Sequence, residues 1–124
     1  MRPVTCEFKF DRRPHLRWTV LLIAFAMPLS IEPQVFCLDF DNTFTGDVEL
    51  WSIWVELAQE RGHRVVCITG RKESFGSRRE LEDALPSGVD VFFAYDQPKM
   101  DHADDKGLLI DVWIDDWPSL IVGN

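Results

Sequence analysis

The sequence predicts an α/β fold with a parallel sheet of about four core strands, and three observations support this. Strand-like apolar runs alternate with segments of helical periodicity from residue 34 onward. The first of these runs is continuously apolar, as expected for a strand in a parallel sheet whose two faces are both covered. Several runs end in small polar or acidic residues, and ligands of open α/β sheets bind at such strand ends.

The chain is organised around the run from Val35 to Leu38 and the residues that follow it, Asp39-Phe40-Asp41-Asn42-Thr43. Asp39 and Asp41 are spaced i, i+2, so both leave the strand on one face before the chain turns. Two carboxylates at a strand end favour the binding of a divalent cation. The simpler alternative is an Asx turn that closes the strand, because Asp-Asn-Thr is good turn chemistry.

The remaining elements follow in alternation. Asp47 or Thr45 is expected to cap a helix that ends at Gly62, and its Trp51 and Trp54 are expected to face the core. The later elements are a strand over Val65 to Thr69, a helix over 73–85, a strand from Val89 to Tyr95, a strand from Leu108 to Ile114, and a short helix beginning near Pro118.

Parallel topology brings the polar strand ends to one edge of the sheet. Asp39 and Asp41 follow the first strand, Thr69 ends the second, and Asp115 and Asp116 follow the fourth. Four carboxylates at one place raise each other's pKa unless a positive charge joins them. Mg²⁺ fits such a place, since a few carboxylates, waters and a substrate phosphate commonly hold it.

Composition narrows the range of functions. The chain of 124 residues is long enough for one domain, and its formal net charge of −8 makes it a poor general binder of nucleic acid. The three cysteines show no short-spaced pair, so neither a disulfide framework nor a zinc site is expected. Cys37 and Cys67 lie within apolar runs and are expected to act as small hydrophobic residues.

Residues 1–33 form an N-terminal extension to the domain of residues 34–124. The apolar run over 18–27 is too short for a stable membrane span. Three interpretations stay open: an extra element packed on the domain, which we expect for 18–27; a secretory signal within 12–26, which would make the protein exported instead of cytoplasmic; and a poorly ordered extension.

The motifs together resemble the haloacid dehalogenase superfamily of phosphohydrolases. Its first motif, DxDx[TV], matches Asp39 to Thr43, its second matches the strand that ends at Thr69, and its fourth matches the strand that ends in Asp115-Asp116. The resemblance covers residues 34–118 and extends to small members found in phages and bacteria. It implies a three-layer, Rossmann-like domain, here without a cap domain because residues 44–47 and 71–98 leave no room for one.

The resemblance also implies residue roles. Asp39 would be the nucleophile and Asp41 the acid/base, while Thr69 and a lysine would hold the phosphate. Mg²⁺ would be bound by Asp39, Asp115 and Asp116 together with Asp41, which would lend its backbone carbonyl. Thr43 and Arg71 are further candidates for substrate binding.

The choice of lysine follows from strand direction. Lys99 comes after the third strand and starts at the edge where Asp39 lies, whereas Lys106 comes just before the fourth strand and starts at the opposite edge. We therefore predict that Lys99 lies beside Asp39 or Asp115. The alternative is that both lysines are surface charges.

The predicted function is a magnesium-dependent phosphomonoester hydrolase that acts through an aspartyl-phosphate on a nucleotide or another small phosphate. One alternative is a non-catalytic interaction domain that binds a partner through Trp51, Trp54 and the N-terminal apolar run. Another is a receiver-like phospho-acceptor, which the second acid Asp41 disfavours. Four basic residues follow the second strand, and two interpretations of them stay open. They either bind additional phosphates or form a solvated helix face: Arg71, Lys72, Arg78 and Arg79. A homo-oligomer stays open.

Overall fold

The computed structural model describes residues 31–123, which form four parallel strands with helices on both faces of the sheet. This confirms the predicted α/β class. The elements in chain order are β1 (Val35–Leu38), a 3-10 turn (Phe44–Gly46), α1 (Val48–Glu60), β2 (Arg64–Thr69), α2 (Phe75–Ala84), β3 (Asp90–Phe93), α3 (Lys99–Asp105), β4 (Val112–Ile114) and α4 (Ser119–Val122).

The strand order is β3-β2-β1-β4, and each neighbouring pair is parallel. The chain therefore adds β2 and β3 on one side of β1 and then crosses to the other side to add β4. Between β1 and β4 the order reverses, and a crevice opens at the carboxyl ends of strands at such a switch point. This crevice is where Asp39 and Asp115 leave their strands.

Alternate residues of the central strands enter two separate hydrophobic clusters. Leu38 and Cys67 belong to the cluster beneath α1 and α2, while Cys37 and Ile68 belong to the cluster that includes Ala103 of α3. Both cysteines are buried and free, as predicted, and burial raises their pKa, that of Cys37 to about 12. They act as small hydrophobic side chains and not as nucleophiles.

Helix α1 begins and ends as the sequence predicts. The Asp47 side chain accepts a hydrogen bond of 3.1 Å from the Leu50 N–H, and Gly62 follows the helix with a φ of 91°. Trp51 and Trp54 are partly buried, pack against the first core cluster and contact each other edge to face. The prediction that these two rings belong to the core is confirmed.

Strand β4 is shorter than the predicted run of Leu108 to Ile114. Gly107 has a φ of 73°, and the Leu108 N–H bonds to the carbonyl of Ala103 at 2.8 Å. These contacts close the end of α3 in the manner of a Schellman motif, so Leu108 belongs to the helix exit and packs into the second core cluster. Its apolar character reflects burial there and not strand pairing.

The structure does not describe residues 1–30 or Asn124. The three interpretations of the N-terminal extension, including the packing of residues 18–27 on the domain, therefore fall outside the described residues and stay predictions. Across residues 31–123, no helix combines the length and apolarity that crossing a membrane requires.

Candidate active site

Two strand ends supply the carboxylates of the site. The Asp39 N–H bonds to the carbonyl of Ile114 at 2.9 Å, which extends the pairing of β1 with β4 by one residue. That bond places Asp39 beside Asp115 and Asp116, which follow β4 directly. The predicted meeting of these acidic residues at one edge of the sheet is confirmed.

Lys99 joins two of these carboxylates from the first residue of α3. Its Nζ lies 2.7 Å from Oδ1 of Asp39 and 2.6 Å from Oδ2 of Asp115, and its side chain is only 1% exposed. Lys106 ends the same helix and is exposed. The structure thus places Lys99 where strand direction predicted it, while its role toward phosphate stays a prediction.

Burial and ion pairing set the electrostatics of this pair. Burial raises the pKa of Asp39 to about 6, although the hydrogen bond and charge of Lys99 act in the opposite direction. For Lys99, burial alone would lower the pKa, but the hydrogen bonds to Asp115 and Asp39 outweigh it and raise the pKa. Lys99 is therefore a fixed ammonium at neutral pH.

The Thr43 hydroxyl ties the carboxylates to one another. It lies 3.2 Å from Oδ2 of Asp39 and 3.1 Å from Oδ1 of Asp116, and it accepts the Asp116 N–H at 3.1 Å. Thr43 is buried, and the contacts of its hydroxyl all lie within the site. Its geometry is that of a positioning residue, and the predicted contact with substrate finds no free hydroxyl here.

An arginine holds the carboxylate of Asp41. Nε and Nη2 of Arg71 lie 2.9 Å and 2.8 Å from its two carboxylate oxygens, and Nη1 of Arg71 lies 2.8 Å from Glu80. The hydrogen bonds to Asp41 and Glu80 raise the pKa of Arg71. Arg71, a predicted substrate ligand, is thus already bound to two carboxylates of the protein.

Three carboxylates are grouped closely enough to hold a metal ion. Asp39, Asp115 and Asp116 each offer one oxygen, and these oxygens lie within 4.8 Å of one another. Hard oxygen donors suit Mg²⁺. The three carboxylates carry three negative charges and the Lys99 ammonium one positive charge. The two negative charges that remain would be balanced by a divalent cation. The carboxylate of Asp41 lies outside this group, and the predicted role of its backbone carbonyl toward the metal stays a prediction.

Thr69 is the last residue of β2 and also faces the cleft. It is almost fully buried, and its hydroxyl accepts the Arg71 N–H at 3.2 Å. Thr69 lines a cleft of about 820 Å³ together with Asp39, Asp41, Lys99 and Asp116. The cleft therefore contains every predicted catalytic residue.

Sequence reasoning missed the two aromatic residues that line this cleft. Tyr95 follows β3 and Trp117 follows Asp116, and both side chains line the cleft. Their positions directly after strand ends were the available signal, because topology places any such residue at the same edge.

The other basic residues predicted to meet phosphates are largely paired within the protein. Arg78 bonds to Glu73 and Glu82, and Arg79 lies 3.7 Å from Asp83. These pairs favour the solvated helix face over a second phosphate site.

Comparisons with known proteins found no match: no family model matches the chain, and no curated protein and no solved structure is significantly similar to it. The function is therefore inferred from the arrangement of the side chains themselves.

We expect Asp39 to make the metal-free protein less stable as the pH rises from about 4 to 6. Its pKa is about 6 in the folded protein against an ordinary value of 3.8, so the folded state binds the proton more tightly. Stability then falls through this interval, by at most about 3 kcal/mol. Urea unfolding in EDTA at several pH values measures it, with Asp39→Asn as the reference that removes the titrating group. A difference between the two proteins that does not change with pH would contradict the expectation.

Proposed function

We propose that the protein is a magnesium-dependent phosphomonoesterase that works through an aspartyl-phosphate on Asp39. The observation that carries this proposal is the buried Lys99 ammonium, held between Asp39 and Asp115 at the switch point of a parallel sheet. An ion pair so deeply buried costs solvation free energy, and its presence at an open cleft favours a catalytic role over a structural one.

The first half-reaction would form the acyl phosphate. A carboxylate oxygen of Asp39 attacks phosphorus, the bond from phosphorus to the ester oxygen breaks, and Asp41 gives a proton to the departing oxygen. Lys99 offsets the charge of the transferring phosphoryl group, and Thr69 donates its hydroxyl to a phosphoryl oxygen. A bound Mg²⁺, held by Asp39, Asp115 and Asp116, would supply charge neutralisation for the phosphoryl oxygens.

The second half-reaction would regenerate the carboxylate. Water attacks phosphorus, Asp41 accepts its proton, and inorganic phosphate leaves as the bond from phosphorus to Asp39 breaks. Arg71 fixes the orientation of the Asp41 carboxylate through both oxygens. Each of those oxygens keeps a second lone pair, which can hold the proton that Asp41 gives to the leaving group and later accepts from water.

Two observations weigh against the alternatives. Trp51 and Trp54 pack against the core, so they do not offer the exposed aromatic surface that a non-catalytic interaction domain would use. Asp41 lies at the same cleft as Asp39, and an acid there would hydrolyse the phosphorylated state that a receiver-like protein must keep.

We expect the purified protein to hydrolyse p-nitrophenyl phosphate in Mg²⁺ and to lose this activity in EDTA. The metal would offset the two negative charges left at the carboxylate group, and without it the phosphate dianion is repelled. Release of p-nitrophenol is followed by absorbance, and adding excess Mg²⁺ back should restore the rate. Equal rates with and without the metal, or no hydrolysis in either, would refute the proposal.

A further inference from the structure

The cleft that contains the carboxylates has an aromatic wall that the proposed chemistry does not use. Tyr95 is 63% exposed and Trp117 is 60% exposed, and both line the cleft with Pro98 and Leu120. The backbone N–H of Trp117 bonds to Oδ1 of Asp115 at 2.9 Å, which ties this residue to the predicted metal ligands. An apolar surface that continues into a catalytic cleft is a place for the remainder of a substrate.

We propose, on the basis of the proposed function, that the substrate is a nucleoside monophosphate whose base packs against Trp117 and Tyr95. The volume of about 820 Å³ is in the range of pockets that bind whole cofactor-sized ligands, and a phosphate would fill only a small part of it. A base is planar and stacks on aromatic rings over its whole face, whereas the pentose of ribose 5-phosphate offers these rings no π-face to stack on.

Polar groups around the wall suit the rest of a nucleotide. Asn42 lines the cleft and is exposed, and within residues 31–123 its side-chain amide has no hydrogen-bond partner, so its donor and acceptor are available to a base edge. Nζ of Lys72 lies 5.9 Å from the ring centroid of Tyr95 and, among the described residues, forms no ion pair. This ammonium adds positive charge beside the cleft, whose own cations Arg71 and Lys99 are paired with carboxylates, and it favours an anionic ligand.

The charge of the protein surface favours a mononucleotide over the end of a nucleic acid as the substrate. A polymer needs a track of available cations for its neighbouring phosphates. Arg71, Arg78 and Arg79 are all paired with carboxylates of the protein, and the formal net charge of the chain is −8. A mononucleotide, with one phosphate at the carboxylates and its base on the aromatic wall, matches this distribution of charge better than a polymer does.

The test compares adenosine 5′-monophosphate with ribose 5-phosphate, which lacks only the base. We expect kcat/KM to favour the nucleotide by at least about 10-fold. Trp117→Ala should reduce kcat/KM for the nucleotide by roughly 5- to 100-fold, the range for loss of one base stacking on a ring, with a smaller loss for ribose 5-phosphate. Trp117→Phe should restore most of the loss. Phe75→Ala is the matched control, since Phe75 is 81% exposed and does not line the cleft.

Equal kcat/KM for the two substrates, or equal losses for both in Trp117→Ala, would overturn this inference and leave the phosphatase proposal intact. If neither ester is hydrolysed, the phosphatase proposal fails instead. Calorimetric binding of adenosine 5′-monophosphate in Mg²⁺ then decides the inference alone: weaker binding to Trp117→Ala than to Phe75→Ala supports it, and equal or undetectable binding overturns it.

Discussion

Replacing Asp39 by Asn should abolish turnover and leave the fold intact. The substitution keeps the size of the side chain and its ability to accept a hydrogen bond from Lys99, but it removes the nucleophilic charge. Loss of a covalent nucleophile reduces kcat by roughly 10⁴-fold or more. The rate of p-nitrophenyl phosphate hydrolysis in Mg²⁺ measures the effect. Asp83→Asn is the matched control, because its carboxylate is 74% exposed and far along α2 from the site.

The same variant should be at least as stable as the wild-type protein in EDTA at neutral pH. Burial raises the pKa of Asp39, so its ionised form is disfavoured in the folded state, and a neutral amide removes that cost. Lys99 keeps its second partner, Asp115. A clear fall in Tm relative to Asp83→Asn would mean that Asp39 has a structural role, and the catalytic assignment would be wrong.

Replacing Lys99 by Ala should reduce kcat/KM by about 10²-fold or more, the usual scale for lost stabilisation of transition-state charge. Lys106→Ala should have little effect, because Lys106 is exposed at the opposite end of α3. The first substitution also leaves Asp39 and Asp115 buried without their shared cation, which should lower the free energy of unfolding in EDTA by about 3–5 kcal/mol. Steady-state kinetics and urea unfolding measure the two effects.

A second substitution at Lys99 separates the effect of losing its charge from the effect of losing its side-chain volume. Lys99→Met keeps most of the side-chain volume and removes only the ammonium, so it should lose activity as Lys99→Ala does while leaving a smaller cavity. Similar, small kinetic effects of Lys99→Ala and Lys106→Ala would show that neither lysine serves the site.

Strand direction made much of the site predictable from the sequence. Asp39, Thr69 and Asp115 each follow an apolar run, and parallel pairing leaves only one edge where they can meet. The same reasoning separated Lys99 from Lys106, since the two ends of a short helix lie at different distances from that edge. These predictions needed chain direction and no side-chain geometry.

The remaining features depend on contacts that distant residues make. The sequence marks Thr43 as part of a turn and as a candidate substrate ligand. The contacts of its hydroxyl with Asp116 could not be predicted, because they depend on the distant strand β4. Arg71 reads as a free cation until α2 brings Glu80 beside it. Leu108 reads as the start of a strand because burial in a helix exit and burial in a sheet select the same apolar residue.

The aspartyl-phosphate itself tests the central claim most directly. Asp41→Asn should slow its breakdown, because water then lacks a base, but p-nitrophenolate leaves without needing a proton. The variant should therefore accumulate the intermediate when it reacts with p-nitrophenyl phosphate and Mg²⁺. After acid quenching, mass spectrometry of the intact protein and of its peptides detects and locates the added phosphoryl group.

We predict one phosphoryl group per chain on Asp39, formed only with Mg²⁺ and absent from the double variant Asp39→Asn/Asp41→Asn. A phosphoryl group on another residue, or hydrolysis by the wild-type protein while Asp39 is never phosphorylated in the variant, would contradict the assignment of Asp39 as the nucleophile.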